Sequence, residues 1–99
     1  MTIQHWRHLW LETPRLGRYT FSWDIIRNDS YVVITAAEGR ISAQVPDRFI
    51  GEAKPIVVGN IAAHDGFVEF TLWWYGNFPY LNIWTDISVF DPRDPSGAN

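Results

Sequence analysis

The chain has 99 residues, no cysteine and a formal net charge of −3, with eight Lys plus Arg against eleven Asp plus Glu. That length fits one domain with a single core, and the missing cysteines exclude disulfides, thiol catalysis and thiolate metal sites. Scattered arginines and a single lysine form no basic stripe to follow a phosphate backbone, so neither nucleic acid nor an anionic membrane is an expected partner. Hydrophobic residues reach 46%, yet no apolar run approaches the ~20 residues of a membrane span. Without the charged start, apolar middle and cleavage site of a signal peptide, a cytoplasmic location is the expectation.

In chain order, the first twelve residues fit two readings. Leu9 and Leu11 suit a strand, whereas Ile3, Trp6, Leu9 and Trp10 suit a short helical face; the strand is favoured, and Thr13-Pro14 ends either one. Residues 18–27 alternate, with Tyr19, Phe21, Trp23 and Ile25 on one side and Arg18, Thr20, Ser22 and Asp24 on the other. A turn at Arg27–Ser30 leads into a strand at Tyr31–Ala36, and Glu38-Gly39 predicts a second turn into Ile41–Val45. This meander would place Ile25 opposite Val32, Trp23 opposite Ile34, Ala36 opposite Ile41 and Val32 opposite Val45.

Pro46–Lys54 reads as a crossing between sheets, because Pro46, Gly51 and Pro55 interrupt pairing. Ile56–Ile61 is the next predicted strand, with Gly59 marking a β-bulge, and Ala62–Gly66 a five-residue connection that sets Ile61 opposite Phe67. From Phe67 to Phe90 two alternating runs flank Gly76-Asn77-Phe78-Pro79, the pattern of a β-hairpin. Val68, Phe70, Leu72, Trp74, Leu81, Ile83, Thr85, Ile87 and Val89 make its inward face. Its outward face carries Trp73, Tyr75, Tyr80, Trp84 and Phe90 among Glu69, Thr71, Asn82, Asp86 and Ser88.

The expected fold is therefore all-β: a single antiparallel β-sandwich of about six to seven strands, with a small closed barrel as the alternative. The domain spans residues 1–90, and 91–99 form a frayed tail without apolar content. The predicted core comprises Tyr19, Phe21, Trp23, Ile25, Val32, Ile34, Ala43, Ile56, Val58, Val68, Phe70, Leu72, Trp74, Ile83, Ile87 and Val89, with Phe49 and Ile50 plugging an end.

The hairpin's outward face is the candidate site. A turn centred on Asn77-Phe78 would put Tyr75 opposite Tyr80, Trp73 opposite Asn82, Thr71 opposite Trp84 and Glu69 opposite Asp86. Flat aromatics beside carboxylate and amide acceptors suit a neutral carbohydrate. Trp73 and Trp84 would stack, Glu69, Asn82 and Asp86 would read hydroxyls, and Tyr75 and Tyr80 would form the rim. The function expected is a non-catalytic, lectin-like module for carbohydrate or another small ligand, in a chain that forms a homo-oligomer. Its rival is an assembly protein that buries Trp73, Tyr75, Tyr80, Trp84 and Phe90 against a symmetry mate. A third reading, a small hydrolase, would use Glu69 and Asp86 at the ~5–5.5 Å of a retaining glycosidase, although so short a chain leaves little to wall a deep cleft. His5 and His8 would share a side only on a helix, and three histidines in all make a poor metal set, so no metal or cofactor is expected.

Overall fold

A computed structural model describes residues 3–42, 45–51 and 55–90. The tail beyond residue 90 and the predicted core residue Ala43 lie outside them. Seven strands, β1 (Ile3–Pro14), β2 (Leu16–Ser22), β3 (Tyr31–Ser42), β4 (Val45–Phe49), β5 (Ile56–His64), β6 (Phe67–Trp74) and β7 (Tyr80–Phe90), form two antiparallel sheets. One is four-stranded, in the order β1-β7-β3-β4; the other is three-stranded, in the order β2-β6-β5. The all-β expectation holds. Among the described residues no helix is long and apolar enough to cross a membrane.

The inward faces of the two sheets meet in the core. Ile34, Ile83, Ile87 and Val89 from the four-stranded sheet pack with Val68, Phe70, Leu72 and Trp74 from β6, all at most 6% exposed. Tyr19, Phe21, Trp23, Ile25, Val32, Ile56 and Val58 sit half-buried around them, on the predicted side. β1 is a strand because alternation puts Trp6, His8 and Trp10 on one face, where they roof β2. Trp6 lies 5.6 Å from the Trp23 ring, His8 5.7 Å from Phe21 and Trp10 5.1 Å from Tyr19. The core also holds the fully buried hydroxyl of Thr85. It accepts the Trp10 indole N–H at 2.9 Å and donates to the His8 carbonyl at 3.2 Å, tying β7 to β1.

Connectivity departs from the sequence reading. β6 pairs with β2 and β5, whereas β7 pairs with β1 and β3, so the Phe67–Phe90 segment is no hairpin but a crossing from one sheet to the other. β2 likewise faces β6, and the predicted pairs Ile25–Val32 and Trp23–Ile34 do not form: Val32 pairs with Val89 and Ile34 with Ile87. Nor does Glu38-Gly39 turn. β3 runs straight through it, with Glu38 between Ile83 and Phe49, and the chain reverses only after Ser42, which pairs with Val45. Ala36 therefore faces Thr85 instead of Ile41, and Val32 does not reach Val45. The glycine is there because Trp84 crosses it: a Cβ at Gly39 would stand 2.1 Å from the Trp84 ring and 2.5 Å from the Asp47 carbonyl.

The true hairpins are β3–β4 and β5–β6. In the second, β5 continues to His64, which faces Phe67 in place of the predicted Ile61, across Asp65 and Gly66 with Gly66 at φ +90°. The bulge expected at Gly59 is present: the register slips between Gly59 and Ala62, and Asn60 takes φ 51°. One end of the sandwich is plugged by Ile26, fully buried in the turn after β2 and bonded through its carbonyl to the Gly66 N–H at 2.7 Å. Ile50, assigned that role from sequence, is 89% exposed, and Phe49 lies on the edge strand β4.

Candidate functional site

The seven residues predicted to form one face divide between the two sheets. Glu69 and Trp73, with Tyr75 just beyond the strand, belong to the outer side of β6; Tyr80, Asn82, Trp84 and Asp86 belong to β7. The cross-strand carboxylate pair Glu69–Asp86 does not exist, because the two residues lie on different sheets. The aromatic set offered to a symmetry mate is divided in the same way, with Trp73 and Tyr75 on one sheet and Tyr80, Trp84 and Phe90 on the other.

Each carboxylate is instead held by arginine. Glu69 accepts a hydrogen bond from Arg18 through Oε2, and its Oε1 stands 2.8 Å from His64 Nε2. The Arg18 hydrogen bond and positive charge, with His64 adding to them, hold the Glu69 carboxyl below its ordinary range. Asp86 accepts from Arg7 Nε at 3.1 Å and lies 3.4 Å from Arg48 Nη1. Trp84 is no platform: it is 7% exposed and donates its indole N–H to the Arg40 carbonyl at 2.9 Å.

Tyr75, Tyr80, Trp73 and Asn82 nevertheless converge on one end of the sandwich. There β1 ends, β2 begins, and the 75–79 connection passes between the sheets. Pro14 pairs with Tyr80, the Trp74 N–H reaches the Arg15 carbonyl at 3.1 Å, and Arg15 Nη1 donates to the Gly76 carbonyl at 3.0 Å. The connection separates two clefts.

The first, of about 300 Å³, is lined by Glu12, Glu38, Arg40, Phe49, Tyr80 and Asn82 among others. Its geometry comes from the end of β1. The register slips between Trp10 and Thr13, Glu12 takes φ 51°, and its N–H donates to Asn82 Oδ1 at 3.0 Å. A bulge of this kind re-aims a side chain, and a non-glycine residue in the left-handed region marks a backbone held there by its surroundings. Thr13 fixes the far side, its buried hydroxyl donating to the Leu81 carbonyl at 2.7 Å. Tyr80 is 60% exposed, Phe49 carries the Arg40 guanidinium 5.3 Å above its ring, and Glu38 is buried beside them. Arg40 also pairs with Asp47 at 2.9 Å. The cleft thus joins two aromatic rings to carboxylate and amide groups.

The second cleft, of about 410 Å³, is lined by Arg15, Leu16, Trp73, Trp74 and Tyr75. Trp73 and Tyr75 stand edge to face at 5.0 Å.

Of the predicted site residues, Tyr80 and Asn82 line the first cleft and Trp73 and Tyr75 the second. Sequence reasoning missed Glu12, Glu38, Arg40 and Phe49. Glu38 sat in an apparent turn, Phe49 in an apparent crossing, and Glu12 beside a strand end where no sequence signal marks a left-handed residue. Among the described residues no three His, Asp or Glu side chains converge to hold a metal ion; His5 and His8 point to opposite faces of β1, His5 to the Ser88 hydroxyl at 2.7 Å and His8 to the Trp10 ring. No family model matches the chain, and neither does any curated protein or solved structure.

Proposed function

We propose that this protein is a non-catalytic binding module, lectin-like in its physics, whose ligand is a neutral saccharide held in the cleft of Glu12, Arg40, Phe49, Tyr80 and Asn82. The observation that carries the reading is the bulge at Glu12, which sets a carboxylate and the Asn82 amide beside two partly exposed rings. The Glu12 carboxylate accepts hydrogen bonds and disfavours anions, so the ligand brings donors and no negative charge. Sugar hydroxyls meet that demand, and the C–H face of a pyranose packs on Tyr80. Asn82 keeps its NH₂ group for a ring or hydroxyl oxygen, since its Oδ1 is engaged by the Glu12 N–H.

A cleft of this volume is at the small end of ligand sites, and a few such contacts give weak monovalent affinity, with Kd about 0.1–1 mM. Strong retention would come through multivalency in a homo-oligomer. The test is a neutral-glycan array followed by calorimetric titration of the best binder. Binding should vanish in Tyr80→Ala and in Asn82→Ala, both on the surface, and persist in Trp73→Ala. Absence of any glycan bound by the wild-type protein, or binding indifferent to Tyr80 and Asn82, refutes the reading.

A further inference from the structure

We infer that the groove on the other side of the 75–79 connection, lined by Arg15, Leu16, Trp73, Trp74 and Tyr75, is a site for a small aromatic carboxylate. It is independent of the saccharide reading, which concerns the opposite cleft. Three observations carry it.

The first is shape and surface. The groove is about 410 Å³ and its walls are apolar, with Leu16 72% and Tyr75 62% exposed. Trp73 and Tyr75, perpendicular at 5.0 Å, offer one ring face and one ring edge to a flat guest.

The second is charge. Arg7, Arg18, Arg40 and Arg48 each pair with a carboxylate. Arg15, like Arg27, has none within ion-pair distance among the described residues; its Nη1 donates to the Gly76 carbonyl at 3.0 Å, which holds the guanidinium at the groove. Four of its five N–H donors remain for a guest, in the planar fork that suits a carboxylate. An apolar groove with one unneutralised guanidinium selects a guest with an apolar body and one anionic end.

The third is a missing acceptor. Trp74 lines the same groove and is 2% exposed, yet its indole N–H is buried without an acceptor among the described residues. Buried donors are nearly always satisfied, and a guest oxygen meets this one once the Trp74 ring turns outward into the groove.

The test follows the indole N–H resonances of the 99-residue chain by heteronuclear NMR, assigned through single Trp→Phe variants. Phenylbutyrate and its uncharged amide, phenylbutyramide, are titrated into the millimolar range. The acid should shift the Trp73 and Trp74 resonances saturably and leave Trp84 unmoved. The amide should bind about tenfold more weakly, the effect of one charge-assisted contact. Arg15→Gln should weaken the acid to the level of the amide, and Arg15→Lys should recover part of the difference. Should Arg15→Gln not fold, the acid–amide comparison on the wild-type chain decides alone. Equal affinities for acid and amide, or shifts that do not saturate or that spread over all the tryptophans, overturn the assignment.

Discussion

β6 and β7 carry the same alternation of large apolar and mixed residues, but their outer sides have opposite fates. On β6 the outward Trp73 stays half-exposed between Leu16 and Val57 and borders a groove. On β7 the outward Trp84 disappears under the structure, because β3 offers it a glycine and a carbonyl oxygen. What an outward aromatic does is thus set by its lateral neighbours. A side chain facing Gly39 can lie down and be covered; one flanked by Leu16 and Val57 cannot.

That contrast is open to direct attack. Trp84→Ala should cost about 3–5 kcal/mol in denaturant unfolding, as for a buried aromatic, whereas Trp73→Ala should stay within about 1 kcal/mol. Equal losses would mean that the two tryptophans are not differently placed. Next in size, Gly39→Ala should destabilise by about 1–3 kcal/mol through overpacking against Trp84 and the Asp47 carbonyl. Gly59→Ala meets only the Thr71 hydroxyl at 3.2 Å and should change stability by less than about 1 kcal/mol. A further variant tests the inner side of β7: Thr85→Val orphans the Trp10 indole N–H and should cost about 1–3 kcal/mol by the same assay.

The smallest effects concern pH. Burial against Trp10 and Phe21 holds His8 below the ordinary 6.5. The unfolded chain therefore binds the proton first, so the His8 contribution is complete above about pH 6.5 and declines as pH falls below it. Glu69 is also depressed, by Arg18 first, and its contribution disappears at lower pH still, as the medium falls through its folded value. Melting temperature followed against pH should show two steps. His8→Phe should remove the upper one and Glu69→Gln the lower; a profile unchanged in both variants would dissociate these residues from acid sensitivity.

Much of the fold was legible because burial has a period. Val68, Phe70, Leu72, Trp74, Ile83, Ile87 and Val89 alternate strictly, and each is inside. Neighbours were not legible. A period of two states which side of a strand is dry, and it reads the same whether the next strand lies alongside in one sheet or opposite across the core. The step from Trp74 to Tyr80 has the residues of a hairpin loop but performs a crossing, and with it the predicted Glu69–Asp86 pair dissolved. Ile26 escaped detection for a related reason: it is buried by a turn, where no alternation applies. The candidate site was half legible. Tyr75 and Tyr80 were placed at the right end of the molecule by their position beside the Gly-Asn-Phe-Pro connection, while Glu12 and Phe49 reach the same end from strands distant in sequence.

By itself, the sequence determined that this chain is all-β, which side of most strands is dry, that Gly59 marks a bulge and that aromatics gather near residues 73–84. These are local matters, set by side-chain alternation and backbone freedom. Tertiary structure alone decided which strands are neighbours, that Trp84 lies buried over Gly39, that Glu69 and Asp86 are each claimed by arginine, and that Arg15 is left facing an apolar groove. Those outcomes depend on contacts between residues tens of positions apart, whose energies exist only once two sheets have closed on one core.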